Sequence, residues 1–347
     1  MAGLTVRAVA GAAAAARGAQ LLLQIGCDHA DAMALLGRSA APAAERRSDP
    51  IARNGNAAAA PDLSAEDLAA DIIVLWAPGI RNLARRRLAE LTAARPQKLI
   101  VIGTRDDGIE PLVRDTAAVF TAAMRTESAG GFRTTVFSQP RLRPDLPTWL
   151  QDDGIRPGSF HHFSVPDGPH HLLLSTLPGV FSSEHLDPGS SLLLDVLAET
   201  PLPAGRVLDL GCGAGVLGLA AARRGADVLF SDINALAVRA AEHNLQQLGL
   251  RGVVRCGDGW AGLEGQRFAM ILCNPPFHHQ AGQQDLDASA ALLSGLRDHL
   301  TPDGQALIVA NRFLPYERLF TAMFTAVERR RATNHYTVWQ LAGPRAE

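Results

Sequence analysis

RVLDLGCGAGVLGLAAAR, residues 206–223, is the stretch whose reading decides the fold. An apolar run meets three glycines at alternate positions, Gly211, Gly213 and Gly215, and a helix-forming run follows. Glycines there permit a tight turn and let a ligand lie against bare backbone, as in nucleotide-binding α/β folds. Gly213, Gly215 and Gly218 also spell GxGxxG, which taken alone is a weak signature of a dinucleotide site. Asp209, near the tip of the strand, argues for another ligand. A carboxylate there repels a pyrophosphate and suits a cation. S-adenosylmethionine has a sulfonium and an α-ammonium and no phosphate, so the charge beside the turn selects it as the cofactor.

Outward from this turn, strands and helices alternate. Helix 215–224 leads to strand DVLFSD (227–232), helix 235–248 and strand GVVRC (252–256). Strand FAMILC (268–273), helix 285–299, strand QALIVAN (305–311), a helix near 315–326 and segments 327–331 and 335–342 complete the half. That rhythm predicts a mostly parallel sheet with helices on both faces. Asp232, ending the second strand, is placed for ribose hydroxyls, or else caps the next helix. Asp258, in RCGDGW, is placed for an adenine amino group, or else forms an Asp-Gly turn.

FAMILC stops at NPPF, residues 274–277. Strand carboxyl ends line the crevice of an open parallel sheet, so Asn274 and the glycine loop should share one cleft. Pro275 and Pro276 fix φ and offer no donor. The Asn274 side-chain oxygen and the Pro275 carbonyl then stand as two rigid acceptors for a planar NH2 group. Gripping both its protons orients the group and exposes its lone pair, which is catalysis by positioning and electrostatics. Phe277 can stack on the flat face of such a group. Alone, NPPF is equally a plain turn after a buried strand; behind the glycine loop it reads as an acceptor site. His278 and His279 read as polar loop residues rather than as proton acceptors, and a pair of adjacent histidines is not a metal site.

The length of 347 residues suggests two domains, 1–165 and 166–347. In the first, LLLQIG (21–26), DIIVLWA (71–77) and KLIVIG (98–103) read as strands, and 62–70 and 80–95 as helices. Residues 39–61 read as a loose loop, and the Pro-, Gly- and Asp-rich stretch 139–170 ends the domain. No GxGxG follows a strand here, so this half carries no cofactor loop. Net charge is −2, which creates no overall basic field, though a local basic face can still bind RNA. Candidate faces are Arg81, Arg85, Arg86 and Arg87, and Arg329, Arg330 and Arg331, with solvated surface the plainer reading. Cys27, Cys212, Cys256 and Cys273 form no CxxC pair, which points to reduced, buried thiols and no metal. Arg17 interrupts the N-terminal apolar stretch, and no run of eighteen apolar residues exists, so a cytoplasmic protein with no membrane partner is expected.

With these residues in place, the second half resembles a class I S-adenosylmethionine-dependent methyltransferase. More narrowly, LPGVFSSEHLDPGSSLLLDVL (177–197), VLDLGCGAGVLGLA (207–220), NPPFH (274–278) and ANRFLPYERL (310–319) resemble the bacterial 16S ribosomal RNA guanine-N2 methyltransferases of the small-subunit type. The likeness is strong over roughly residues 170–342. It implies an α/β chain of two tandem Rossmann-like methyltransferase-type domains. The C-terminal one is a seven-stranded, mostly parallel sheet; the N-terminal one is degenerate and assists folding or RNA engagement. It implies S-adenosylmethionine-dependent methylation of the exocyclic N2 of a guanine in 16S ribosomal RNA, with ribosomal RNA or the small ribosomal subunit as partner. GVFS (179–182) and DPGSS (187–191) would fold over the cofactor and active site. Phe181 then becomes a cofactor-binding residue, where the residues alone equally allow a core position. Asn274, Pro275, Pro276 and Phe277 would bind the target guanine. Two alternatives stay open: the same chemistry on a large-subunit guanine, an adenine N6 or a protein glutamine, and a catalytically silent RNA-binding assembly protein.

Overall fold

The computed structural model describes residues 22–25, 45–48, 62–167, 170–275, 292–314 and 316–345. They divide into two compact units. The first runs through His161 and includes Leu177–Gly179; the second takes His162–Thr176 and the residues from Val180 onward.

The first unit is a six-stranded sheet in the order β2–β1–β3–β4–β6–β5. Strands β1 (Leu22–Ile25), β2 (Glu45–Ser48), β3 (Ile72–Trp76) and β4 (Lys98–Thr104) run parallel. Hairpin β5 (Phe120–Ala129) and β6 (Phe132–Leu142) closes the other edge antiparallel. Helix α1 (Ala65–Leu68) starts with a capping box between Ser64 and Asp67. Helices α2 (Arg81–Leu91) and α3 (Ile109–Val119) follow. Strand β2 corrects the reading of 39–61 as a loose loop. Its sequence, ERRS, has no apolar residue, and an edge strand needs none.

Helix α2 also corrects the first list of RNA-contacting arginines. Arg86 and Arg87 are fully buried. Arg86 donates to the Gly154 carbonyl at 2.7 Å and to Asp62 at 2.5 Å, and Arg87 donates to Glu90 at 2.7 Å. Arg81 and Arg85 both bond Asp115, at 2.8 and 2.9 Å, and the Arg85 guanidinium lies 4.8 Å from the Trp149 ring centre. Burial pushes the Asp115 pKa up, but the bonds from the two arginines outweigh it, so it lies below the usual carboxylate range. These arginines hold the unit together. Arg86 Nε also lies 3.5 Å from Glu90, so Arg86→Ala should destabilise the unit by about 3–5 kcal/mol, because Glu90 stays buried without that partner. Denaturant unfolding checks this; a loss under ~1 kcal/mol would mean the network holds nothing.

The second unit is a seven-stranded sheet in the order β11–β10–β9–β12–β13–β15–β14. Strands β9 (Arg206–Leu210), β10 (Asp227–Asp232), β11 (Val253–Cys256), β12 (Phe268–Cys273) and β13 (Leu300–Asn311) are parallel. Strands β14 (Phe324–Ala332) and β15 (Tyr336–Pro344) complete it antiparallel. Strands β7 (His161–Asp167) and β8 (His170–Thr176) form a separate pair. Helices are α4 (Pro188–Glu199), α5 (Val216–Arg223), α6 (Ala235–Gln247) and α7 (Tyr316–Met323). Every residue of β12 is buried, as its continuous apolar run demands of a strand covered on both faces. Strand order reverses between β9 and β12, so a crevice opens at their carboxyl ends. Of the helix expected at 285–299, residues 285–291 lie outside the described residues; the rest is helical only at 292–294 and turn at 295–299. The helix expected to reach 326 stops at Met323, where β14 begins.

Cys212 and Cys273 are buried free thiols, while Cys256 is exposed, against expectation. It ends β11, the edge strand of the sheet, which has no neighbouring strand on one side. Cys27 lies outside the described residues. Among the described residues no helix is long and apolar enough to cross a membrane.

Candidate active site

The glycine loop leaves β9 with φ of +71° at Gly211, +55° at Gly213 and +89° at Gly215. Only glycine takes such angles without strain. The loop is tied to the neighbouring strand end. Gly211 and Cys212 donate to the Ser231 carbonyl at 2.8 and 3.1 Å, and Gly213 donates to Asp232 Oδ2 at 2.8 Å. A Cβ on Gly211 or Gly213 would meet nothing within 4 Å, so both offer bare backbone to a cleft. Gly218 has another duty. A Cβ there would sit 2.3 Å from the Phe230 ring, so this glycine lets α5 lie on the sheet.

Asp209 is 1% exposed and does not line the cleft. It lies beneath the loop, and its Oδ2 accepts from Gly218 N at 2.7 Å inside the first turn of α5. Burial and the nearby Asp232 push its pKa up to about 7, against the Gly218 bond. The charge at the strand tip therefore acts from below the turn, and a bound cation would pull the proton off. For a carboxylate with a raised pKa, the folded state holds the extra proton. Its stabilisation is complete below the unfolded value of 3.8 and is lost as pH rises through about 7. Asp209→Asn should therefore stabilise the cofactor-free protein more at pH 8 than at pH 5, by about 2–3 kcal/mol, roughly 4–12 °C in Tm. The same variant should lose cofactor affinity. Equal Tm differences at both pH values would contradict the assignment.

Asp232 uses Oδ2 for Gly213 and Oδ1 for Asn234 N at 2.8 Å, and burial raises its pKa. It is not the cap of α6; Asn234 is, accepting from Leu236 N at 3.0 Å. A carboxylate has about four acceptor positions, so ribose hydroxyls can still bind. Asp258 is exposed in a turn closed by Ala261 N to its carbonyl at 3.0 Å, and Gly257 N ties that turn to the Asp232 carbonyl at 2.9 Å. Cys212 takes no nucleophilic part: burial and the two aspartates push its thiol pKa up.

Opposite the loop, Asn274 and Pro275 leave β12. Pro276, Phe277, His278 and His279 lie outside the described residues. Asn274 lines the cleft together with Asp187, Ser190, Gly211 and Phe181. Its Nδ2 donates to Asp187 Oδ2 and to Ser190 Oγ, both at 2.9 Å. Phe181 is 61% exposed, which rules out the core reading. Ser182, at φ +52°, turns the chain beside it and donates to the His185 carbonyl at 2.7 Å.

Sequence reading gave no individual role to three members of this frame: Asp187 and Ser190, which the resemblance placed over the site within DPGSS (187–191), and Asn244. A start signal for a helix, Asp187 before Pro188, was the available clue to the first two. Nothing distinguished Asn244, buried on α6, from any helical asparagine. It accepts from Ser175 N at 2.7 Å and donates to the carbonyls of Ser175 and Ala214 at 2.8 and 2.9 Å.

A larger cleft of about 640 Å³ lies elsewhere in this unit, lined by Arg312, Glu317, Arg318, Thr321, Arg329 and Trp339. No glycine is among its lining residues, whereas Gly211, Gly213 and Asn274 line the smaller cleft. Arg329 pairs with Glu317 and lies 5.0 Å from the Trp339 ring centre. Arg331 is taken by Asp195 and Glu199 at 3.2 and 2.6 Å, and Arg330 by Gln340 and Glu328.

Residues 171–340 match the methyltransferase small domain family. Ribosomal RNA small subunit methyltransferase C of Salmonella typhi is 34% identical over 278 residues, 78% of this chain and 75% of the relative. The Pseudomonas aeruginosa (strain LESB58) protein of the same name is 37% identical over 251 residues, 71% of each chain. Among solved structures, the T. thermophilus 16S rRNA N2 G1207 methyltransferase in complex with AdoMet and guanosine superposes with a TM-score of 0.77. It is 25% identical, with 93% of this chain and 88% of that one covered.

Proposed function

The chain belongs to the ribosomal RNA small subunit methyltransferase C family, and we propose that it methylates the exocyclic N2 of a guanine in 16S ribosomal RNA, using S-adenosylmethionine. The single observation that carries the chemistry is the orientation of Asn274, whose amide oxygen is the part left over for a substrate once both its N–H groups are bonded.

The cofactor fits the residues present. Gly211 and Gly213 form a cradle that a Cβ would fill, Asp232 offers a carboxylate at the second strand end, and Asp209 supplies negative charge below the turn. Asp258 and Phe181 complete the proposed binding set. When bound, S-adenosylmethionine supplies an electrophilic methyl group. The chain's own part is to hold the acceptor amine. Asn274 Oδ1 and the Pro275 carbonyl accept its two protons, which aims the lone pair and stabilises the positive charge that grows on nitrogen. Pro276 and Phe277 complete the acceptor site in this reading, Phe277 by stacking on the base. A base paired in a helix must first be turned out of its stack.

The first unit, with four parallel strands and an antiparallel hairpin, is read as a methyltransferase-like domain that has lost cofactor binding and serves folding or RNA engagement. The protein acts in the cytoplasm, where its RNA or small-subunit substrate is found, and it needs no metal.

Incubation with methyl-labelled cofactor and small-subunit RNA or particles should place the label in N2-methylguanosine on nucleoside analysis. Label confined to protein, to large-subunit RNA or to N6-methyladenosine would overturn the reading.

A further inference from the structure

The amide of Asn274 has no freedom to choose which end it shows. Its nitrogen carries two protons, and Asp187 Oδ2 and Ser190 Oγ take them, each at 2.9 Å. Turning the amide over would set Oδ1 against a carboxylate oxygen. Asp187 is itself fixed. It is the N-cap of the 12-residue helix α4, and its Oδ2 also accepts from Ser190 N at 2.8 Å. Pro188 stiffens the first turn. Gly189 keeps the space clear: a Cβ there would lie 3.0 Å from Asp187 Oδ2 and 3.3 Å from the Tyr336 ring. Asn274 Oδ1 remains on the cleft side, and among the described residues nothing donates to it.

We infer that Asp187 is a positioning residue for the transfer: through Asn274 it makes the cleft present an acceptor, never a donor, to the nucleophile. Its negative charge behind the amide also draws the N–H electrons toward Oδ1, which strengthens that oxygen as an acceptor. Specificity follows. A nucleophile carrying N–H is gripped, whereas a carbonyl oxygen or an unprotonated ring nitrogen at the same spot meets oxygen lone pairs. The site thus selects an amine over the other nucleophilic atoms of a base. Ser190 is the second, weaker guide. This inference rests on the proposed function only in naming the amine as that of guanine.

Substitution at 187 tests it. One atom, Asp187 Oδ2, both caps the helix at Ser190 N and accepts from Asn274 Nδ2. Asp187→Ala removes that acceptor, so the Asn274 amide loses its guide and can turn over. Asp187→Asn sets an amide oxygen in the same place, keeps the cap and the bond from Asn274, and removes only the charge. The expected kcat is down about 100-fold in Asp187→Ala and within ~10-fold of wild type in Asp187→Asn. KM for the cofactor should stay within ~3-fold in both, and Asp187→Ala should lower Tm by a few degrees with its cap. A kcat of Asp187→Ala within twofold of wild type, or an equal loss in the two variants, would overturn the inference.

The rates are read on whichever acceptor the wild type methylates. Label outside 16S guanine would therefore remove the proposed function and leave the comparison of the two variants interpretable. Independently of activity, the side-chain NH2 of Asn274 in ¹⁵N-asparagine-labelled protein should exchange slowly in wild type and fast in Asp187→Ala. Fast exchange in both would equally count against it.

Discussion

Asn274→Ala is expected to lower kcat by about 10²–10³-fold while leaving S-adenosylmethionine affinity within ~3-fold of wild type. The cofactor cradle is built from Gly211, Gly213 and Asp232, held by Ser231 and by one another, and none of them bonds Asn274. The substituted protein keeps its fold. Asp187 Oδ2 still accepts from Ser190 N, and the groups released by the amide face an open cleft where water reaches them. What disappears is a preorganised acceptor opposite the nitrogen that becomes positive. The Pro275 carbonyl alone can hold one proton, but it cannot fix the rotation of the amine. A fall in kcat with unchanged cofactor binding is the mark of a group that works in the transition state. Single-turnover rates with isothermal titration of the cofactor check both halves. A variant within fivefold of wild-type kcat would mean that the reacting nitrogen sits elsewhere.

The glycine loop could be read from sequence because local chemistry dictates it: a left-handed φ needs glycine. Of NPPF, only Asn274 and Pro275 are among the described residues. The succession of strands and helices along the second half was also legible, because each of β9, β10 and β12 is a short apolar run followed by a turn or a helix. Strand β2 and hairpin β5–β6 were not. ERRS at an edge and TAAMRTES on a largely exposed strand bury little, so neither leaves the alternation that marks a strand. At the site, sequence position said that Asp209 stands near the turn, yet the pleat decides on which side. The residue points under the loop to Gly218. Arg86 and Arg87 looked like surface because arginine usually is. Their burial depends on Asp62, Glu90 and Gly154, two of which are distant in the chain. Asp187 and Asn274 are separated by 87 residues, so no local pattern joins them.

The same limit hides Asn244, and its removal should have the largest effect on stability. Asn244 is fully buried, and one side chain satisfies three backbone groups: the N–H and C=O of Ser175 at the end of β8 and the C=O of Ala214 in the glycine loop. Asn244→Leu fills similar volume but leaves all three without a partner. Each orphaned buried group costs about 1–3 kcal/mol, so a loss of about 3–6 kcal/mol is expected, with a Tm lower by more than roughly 10 °C. Asn244→Asp should be nearly as damaging. It keeps an acceptor for Ser175 N but replaces the two N–H donors with a carboxylate oxygen facing two carbonyls. The damage should also reach the cofactor. Ala214 lies between Gly213 and Gly215, and once its carbonyl is released the cradle can shift. Saturation by ligand raises Tm in proportion to ln(1 + [L]/Kd), so at one cofactor concentration the Asn244→Leu protein should gain less than wild type. Thermal unfolding with and without S-adenosylmethionine measures both effects. Leu and Asp variants that each lost less than ~3 °C would show that the Ser175 and Ala214 groups find other partners. A variant with a low Tm but a wild-type gain on cofactor addition would separate the fold from the loop, and Asn244 would then be a fastener of β8 alone.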